Sequence, residues 1–157
     1  MKSTERTAFE QQIELAVDAA LPIVIHTRES FQPTLDIIKR YVGRLRGGVF
    51  HCFPGDFNDA RRVIELGFVI SVGGVITFPN SMMSRVAAQA PIEKILLETD
   101  APFLAPVPFR GKQNQPAYVA YVRDRLAELQ KTGPQEIERV TDRACRKLFR
   151  LEETFEG

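Results

Sequence analysis

Apolar residues recur along this chain at two spacings, and the changes from one to the other mark out its elements. Phe9, Ile13, Val17 and Ala20 fall every three or four positions with Glu and Gln between them, so residues 5–20 read as an amphipathic helix that ends before Pro22. Ile23-Val24-Ile25-His26 is a short apolar, β-branched run closing in Thr27-Arg28-Glu29-Ser30, the pattern of a parallel strand buried on both faces. A helix is expected near Pro33–Val42. Gly47 to Cys52 reads as a second strand, and Pro54-Gly55-Asp56 turns the chain into a helix near Asn58–Leu66. Phe68–Val72 gives a third strand, followed by a helix near Ser81–Ala90, and Lys94–Asp100 gives a fourth. Pro102, Pro106, Pro108 and Pro116 then flank a polar stretch from Arg110 to Gln115, which predicts a long ordered loop. Tyr118, Val119, Val122, Leu126 and Leu129 mark the next helix, and Gly133-Pro134 opens another carrying Ile137, Val140, Ala144, Leu148 and Phe149.

Strands alternating with helical segments of about 10–15 residues imply parallel βαβ units with right-handed crossovers, an α/β architecture of about four units. With 157 residues and no linker or internal repeat, residues 1–157 form one domain. The 44% hydrophobic and 26% charged shares are those of a globular protein. Lys and Arg total 21 against 20 Asp and Glu, so the net charge of +1 excludes the broad positive field of a dedicated nucleic-acid-binding protein, and any phosphate binding is local. Cys52 and Cys145 form no CxxC pair, which argues against a disulfide framework or thiolate zinc site and fits a reducing cytoplasm. No apolar run approaches the roughly 18 residues of a membrane span, and no signal-type apolar core follows Met1–Arg6. A cytoplasmic protein without a membrane partner is expected.

Both histidines, His26 and His51, occupy the last position of a predicted strand, and Asp100 ends the fourth. The carboxyl ends of parallel strands form the active-site face of α/β folds and of (β/α) barrels. Period-two alternation puts Val24 with His26, Val49 with His51, and Leu96 with Glu98 and Asp100 on common faces. Two imidazoles and a carboxylate converging on one rim suit a divalent cation such as Zn²⁺, Mn²⁺ or Mg²⁺. Structural readings stand beside these. A strand-end histidine taken singly is more often a hydrogen-bonded structural residue than a ligand, and Asp100 also suits the cap of a turn. Glu98 reads first as a paired structural carboxylate, and Cys52 as a small apolar packing residue. Arg28, Arg110 and Lys112 lie on the same side and are either holders of a substrate phosphate or solvated loop charges.

His26-Thr27-Arg28-Glu29, Val49-Phe50-His51-Cys52-Phe53 and Leu97-Glu98-Thr99-Asp100-Ala101-Pro102-Phe103-Leu104-Ala105-Pro106 together resemble the TatD family of metal-dependent hydrolases. The likeness continues through Arg110-Gly111-Lys112, Asn114 and Pro116-Ala117-Tyr118-Val119, in the family's order and over nearly the whole chain. It implies a TIM-type (β/α) barrel of the amidohydrolase kind, one or two divalent cations, and hydrolysis of phosphodiester bonds in DNA, often as a 3′–5′ exonuclease. By the same resemblance His26, His51 and Asp100 are metal ligands, Asp100 accepts the proton of the attacking water, and Arg28, Arg110 and Lys112 are candidates for substrate phosphate.

The departures matter too. The family's first strand ends in His-x-His and a later strand supplies a ligating Glu; nothing in Met1–Leu21 replaces them, and Phe9-Glu10-Gln11-Gln12 resembles the helix after that Glu strand. Phe109 stands where a histidine is common and Gln115 where a glutamate is common. A barrel of this type takes roughly 250 residues and eight strands, so about four strands amount to a partial barrel with its front units missing. Open sheet edges and uncovered apolar faces are expected, inviting a homodimer of half-barrels or association with a separate N-terminal fragment. The alternatives to the nuclease reading are a non-catalytic remnant that binds a partner or nucleic acid, and a barrel hydrolase acting on another phosphoester or amide.

Overall fold

The computed structural model describes residues 2–151. Six α-helices and four strands follow one another as α1 (Ser3–Asp18), β1 (Ile23–His26), α2 (Phe31–Lys39), β2 (Gly48–His51), α3 (Phe57–Glu65), β3 (Val69–Val72), α4 (Met82–Ala87), β4 (Ile95–Leu97), α5 (Val119–Gln130) and α6 (Pro134–Phe149). The strands form one parallel sheet in the order β1-β2-β3-β4. The expected α/β run of four units is thus present, and this is a partial (β/α) barrel sheet.

Local chemistry sets the boundaries. Asp56 caps α3 by accepting a hydrogen bond from the Asp59 N–H at 2.9 Å, and Ser81 caps α4 by accepting from the Ser84 N–H at 3.0 Å. Pro134 sits in the first turn of α6, where its missing N–H costs nothing. Two expected helices come out shorter or shifted: the second runs over Phe31–Lys39 rather than Pro33–Val42, and α4 keeps only Met82–Ala87 of Ser81–Ala90.

Register divides the sheet into two unlike faces. Ile25, Phe50, Ile70, Val72 and Ile95 point outward into the main core, packed against Ile13 of α1, Leu35 and Ile38 of α2, Val63 of α3 and Leu126 of α5. Val24 pairs with Val49 and Val49 with Val69 on the opposite, inner face. There Val49, Val69 and Leu96 are covered by Ala144, Cys145, Leu148 and Phe149 of α6, a cover that strand and helix periodicity did not reveal.

Two strand readings need correction. β1 is not buried on both faces: it is the edge strand of the sheet among the described residues, and Val24 is 61% exposed while His26 is also exposed. Leu15 and Leu21 are exposed beside it, so the open edge has an apolar flank. β4 ends at Leu97 rather than at Asp100. The Glu98 N–H still donates to the Val72 carbonyl at 3.0 Å, but Asp100 lies beyond the ladder with φ of +55°.

Gly48 fixes how closely β1, β2 and the core can approach. A Cβ there would stand 2.5 Å from the Ile23 carbonyl oxygen and 2.8 Å from the Phe68 ring, closer than real contacts allow. Replacing Gly48 by Ala is therefore expected to lower the unfolding free energy by about 1–3 kcal/mol, read as a reduced urea midpoint with an unchanged m-value. An unshifted midpoint would show that the strands can separate without cost.

Candidate metal centre

The parallel register that pairs His26 with His51 puts both imidazoles side by side on the inner face at the carboxyl end of the sheet, with ring centroids 5.6 Å apart. Ser71 of β3 and Glu98 after β4 continue that layer. His26 and His51 close their strands, whereas Ser71 interrupts the apolar run of β3 and Glu98 follows the end of β4.

His51 is held from two sides. Its Nδ1 lies 2.5 Å from Glu98 Oε2, and because an ionised carboxylate only accepts, Nδ1–H is the donor. The buried Ser71 hydroxyl donates to the same oxygen at 2.6 Å and accepts from the Cys52 N–H at 3.1 Å, so serine, carboxylate and imidazole are locked as one unit. This tautomer leaves the Nε2 lone pair free, and Nε2 stands 3.3 Å from Asp100 Oδ1. Two N and O ligands at roughly 2.1 Å from one tetrahedral ion are about 3.4 Å apart, so the His51–Asp100 pair fits a shared cation. The two buried side-chain oxygens without a hydrogen-bond partner among the described residues are Glu98 Oε1 and Thr27 Oγ1, and both belong to residues at this end of the sheet. Leaving such an atom unpaired costs about 1–3 kcal/mol, so further polar contacts belong here.

The set is partial. Among the described residues no cluster of three or more His, Cys, Asp and Glu side chains is gathered tightly enough to enclose a metal ion. The structure brings together His51, Glu98 and Asp100; His26 is adjacent but turned toward solvent, where it lines a hollow with Arg28 and Glu29. Below the histidine layer the inner face opens into a cleft of about 550 Å³, bounded by Val24, Val49 and Leu96 on the sheet and by Val119, Arg123 and Thr141 on α5 and α6.

Asp100 reaches His51 because of a clamp, not strand alternation. Asn114, 4% exposed, donates through Nδ2 to the Thr99 carbonyl and, at 2.7 Å, to the Phe103 carbonyl, while its own N–H donates to the Pro102 carbonyl at 3.0 Å. Phe103 N–H closes the turn on the Asp100 carbonyl at 2.8 Å. The left-handed backbone of Asp100, sterically unfavourable for a residue with a Cβ, is thereby over-determined. Glu29 and Cys52, just past the ends of β1 and β2, are left-handed too, so three of the four strand ends carry such residues.

Of the other residues singled out from sequence, Arg110 is exposed with its guanidinium 4.5 Å from the Phe78 ring centroid, and Lys112 and Arg28 are exposed. None of the three has a carboxylate partner among the described residues, in contrast to Arg40 and Arg44, which pair with Glu10 and Glu14. Glu98 has the structural pairing that its sequence position suggested. Ser71 and Asn114 were not read as site residues; the signal for Ser71 was that it is the single polar residue in the run Phe68–Val72. Cys52 packs partly against the core, and burial, then the Glu98 and Asp100 carboxylates, push its thiol up to about 11. It is thus protonated and a poor ligand at neutral pH.

A parallel run of βα units with a histidine pair at two strand ends and a turn-borne aspartate after the fourth defines a partial (β/α) barrel with candidate metal ligands at its carboxyl rim, and comparison with known proteins makes this particular. The profile of the family described as TatD related DNase matches residues 1–150, and the chain belongs to that family. It is 39% identical over 151 residues to the uncharacterized metal-dependent hydrolase YabD of Bacillus subtilis, covering 96% of this chain and 59% of that protein. It is 38% identical over 152 residues to the uncharacterized metal-dependent hydrolase YcfH of Escherichia coli K12, covering 96% and 57%. The crystal structure of YjjV, a TatD homologue from Escherichia coli K12, superposes with a TM-score of 0.86 at 35% identity over 94% of this chain and 57% of that one. A TatD family hydrolase from Entamoeba histolytica shares the fold with a TM-score of 0.82 at 18% identity. The chain therefore spans a little under three-fifths of the length of the relatives it matches.

Two outcomes follow for this centre. Glu98→Gln, which keeps the shape but loses the charge that orients His51, is expected to weaken Mn²⁺ binding about 10–100-fold by isothermal calorimetry while leaving the fold intact by circular dichroism. Unchanged affinity would remove Glu98 from the site. Because the Cys52 thiol ionises about two units above its ordinary 9.0, its alkylation by iodoacetamide at pH 8 is expected to run about 100-fold slower in the folded chain than in urea.

Proposed function

We propose that this chain carries part of the active site of a metal-dependent phosphodiesterase acting on DNA, releasing nucleotides from the 3′ end. The observation that supports this most is the His51 Nε2–Asp100 Oδ1 pair at 3.3 Å, with the other imidazole nitrogen committed to Glu98. His51, Asp100 and the neighbouring His26 would hold the divalent cation. Such a cation lowers the pKa of water and polarises a phosphoryl oxygen.

The chain's own groups divide the remaining work. Glu98 and Ser71 keep the His51 ring in one tautomer and one orientation, so its lone pair needs no reorganisation. Asp100, fixed by the Asn114 clamp, accepts the proton of the attacking water at its carboxylate. Arg28, Arg110 and Lys112 hold the substrate phosphates by charge-assisted hydrogen bonds. The phosphoester reading is favoured over an amide substrate by these exposed cations, which have no carboxylate partner among the described residues, since a neutral amide has no use for them.

The test is release of nucleotides from a 3′-labelled single-stranded oligodeoxynucleotide with Mn²⁺ or Mg²⁺ and with chelator. Hydrolysis should require the cation, and Asp100→Asn should lower the rate by about 10²–10⁴-fold with circular dichroism unchanged. Cleavage that persists in chelator, or a fully active Asp100→Asn protein, would refute the mechanism. Turnover of a lactone or amide but not of DNA would replace the substrate class.

A further inference from the structure

The amino ends of the strands gather charge of one sign. Because the strands run parallel, the residues that lead into them share the edge of the sheet opposite His51, and Arg46 before β2 and Lys94 before β4 meet there. Helix α6 packs over the same end and adds Arg143 and Lys147, one turn apart, with Arg150 at its cap. The five cations line one hollow of about 470 Å³, and Glu93 is the single carboxylate among the lining residues. Val69, Ala144 and Leu148, from the seam between β3 and α6, give it an apolar floor.

Elsewhere the chain neutralises its arginines. On α6 itself Arg139 pairs with Glu136 at 2.6 Å and Arg146 with Asp142 at 2.7 Å, and Arg123 of α5 reaches Glu138 at 2.9 Å. The five cations at the hollow form no ion pair among the described residues. The carboxyl end of a helix favours positive charge, which accounts for Lys147 and Arg150. It does not account for Arg46 and Lys94, which come from strand entrances, and Lys94 is half-buried among the other charges. Like charges gathered on one concavity repel each other, and a bound anion relieves that repulsion.

We infer that this hollow is a binding site for a compact oligophosphate, a small ligand carrying two or more linked phosphate groups. Phosphate oxygens accept hydrogen bonds from Arg forks and Lys ammonium groups, and linked phosphates can meet cations that come from three segments of the chain. A single small anion would leave most of them uncompensated. The concave shape sets the size: a flat anionic surface would touch the side chains of α6 but leave half-buried Lys94 unmet, whereas the volume is that of a small-molecule site. Inorganic oligophosphate and the phosphate chain of a nucleotide are two sources of this chemistry, and the apolar floor gives the organic part of the second a place to lie. The site is at the other end of the sheet from the candidate metal centre and does not rest on the nuclease reading.

The experiment is isothermal calorimetry at low salt with sodium tripolyphosphate and with ATP. Divalent cations are first removed on a chelating resin, so that neither probe can bind through a metal at His51. At least one probe should bind once per chain; tighter binding of ATP assigns the floor to the nucleoside, and equal binding assigns recognition to the phosphates alone. Arg143→Gln combined with Lys147→Gln should weaken binding about 10- to 100-fold while the urea midpoint stays in place. Arg125→Gln combined with Arg139→Gln removes the same charge from paired arginines outside the hollow and should change affinity by no more than about 2-fold. Absence of binding of both probes to the wild-type chain overturns the site. So does affinity that survives the Arg143 and Lys147 changes, or that falls equally in the two double variants, which would mark attraction to overall charge.

Discussion

An imidazole held between two carboxylates is the contact around which the carboxyl end of this sheet is arranged. His51 donates from Nδ1 to Glu98 and faces Asp100 with Nε2, so a ring that could turn or change tautomer has one orientation. Everything else at the rim serves that placement. Register between β2 and β3 brings Ser71 to the same carboxylate oxygen, and the last rung of the ladder, from Glu98 N–H to the Val72 carbonyl, sets where that carboxylate begins. Loss of register by one residue would turn His51 into the hydrophobic core and Phe50 into the cleft. The main core, with Phe50 and Ile70 fully buried, therefore fixes the site as firmly as the polar contacts do.

The second carboxylate is positioned by different means. Asp100 lies three residues beyond the end of β4 in a left-handed turn, a conformation that costs on the order of 1–3 kcal/mol for a residue with a side chain. Asn114 compensates by satisfying two carbonyls and closing onto Pro102, and the tight approach of Leu104 to Gly74 seats the whole loop on the segment after β3. Precision at the Asp100 carboxylate thus comes from a buried amide fourteen residues further along the chain.

How far the sequence foretold this depends on the kind of constraint. Strand positions were legible because β-branched runs bounded by Gly, Pro and polar residues leave little alternative, and His26 and His51 could be placed at strand ends from that pattern alone. The burial of β1 was misread because a short apolar run looks the same in the middle of a sheet and at its edge; only strand order shows that Val24 lacks a neighbour above it. Helix α6 was predicted from its periodicity, yet its packing over Val49, Val69 and Leu96 is a tertiary choice that periodicity does not encode. Ser71 and Asn114 are hydrogen-bonding positions whose partners are 27 and 15 or fewer residues away, and spacing alone gives no sign of such pairings. The resemblance to a family identified the segment containing Asn114, but not what its amide does.

Charge explains why, on the proposed reading, a site of this composition would need a cation before it could meet a polyanion. Glu98 and Asp100 place two carboxylates on one imidazole, and a phosphodiester brought within about 5 Å of either would be repelled by roughly 3 kcal/mol at an effective dielectric of 20. A net charge of +1 spread over 157 residues does not overcome that. On that reading substrate attraction would be local, and the exposed cations that have no carboxylate partner among the described residues lie outside the sheet: Arg28 beyond β1, and Arg110 and Lys112 in the loop beyond Asp100. The separation keeps the two sets from neutralising each other. Were Arg110 or Lys112 paired with Asp100, the proposed site would hold neither metal nor phosphate well, and Arg110 instead lies over the Phe78 ring.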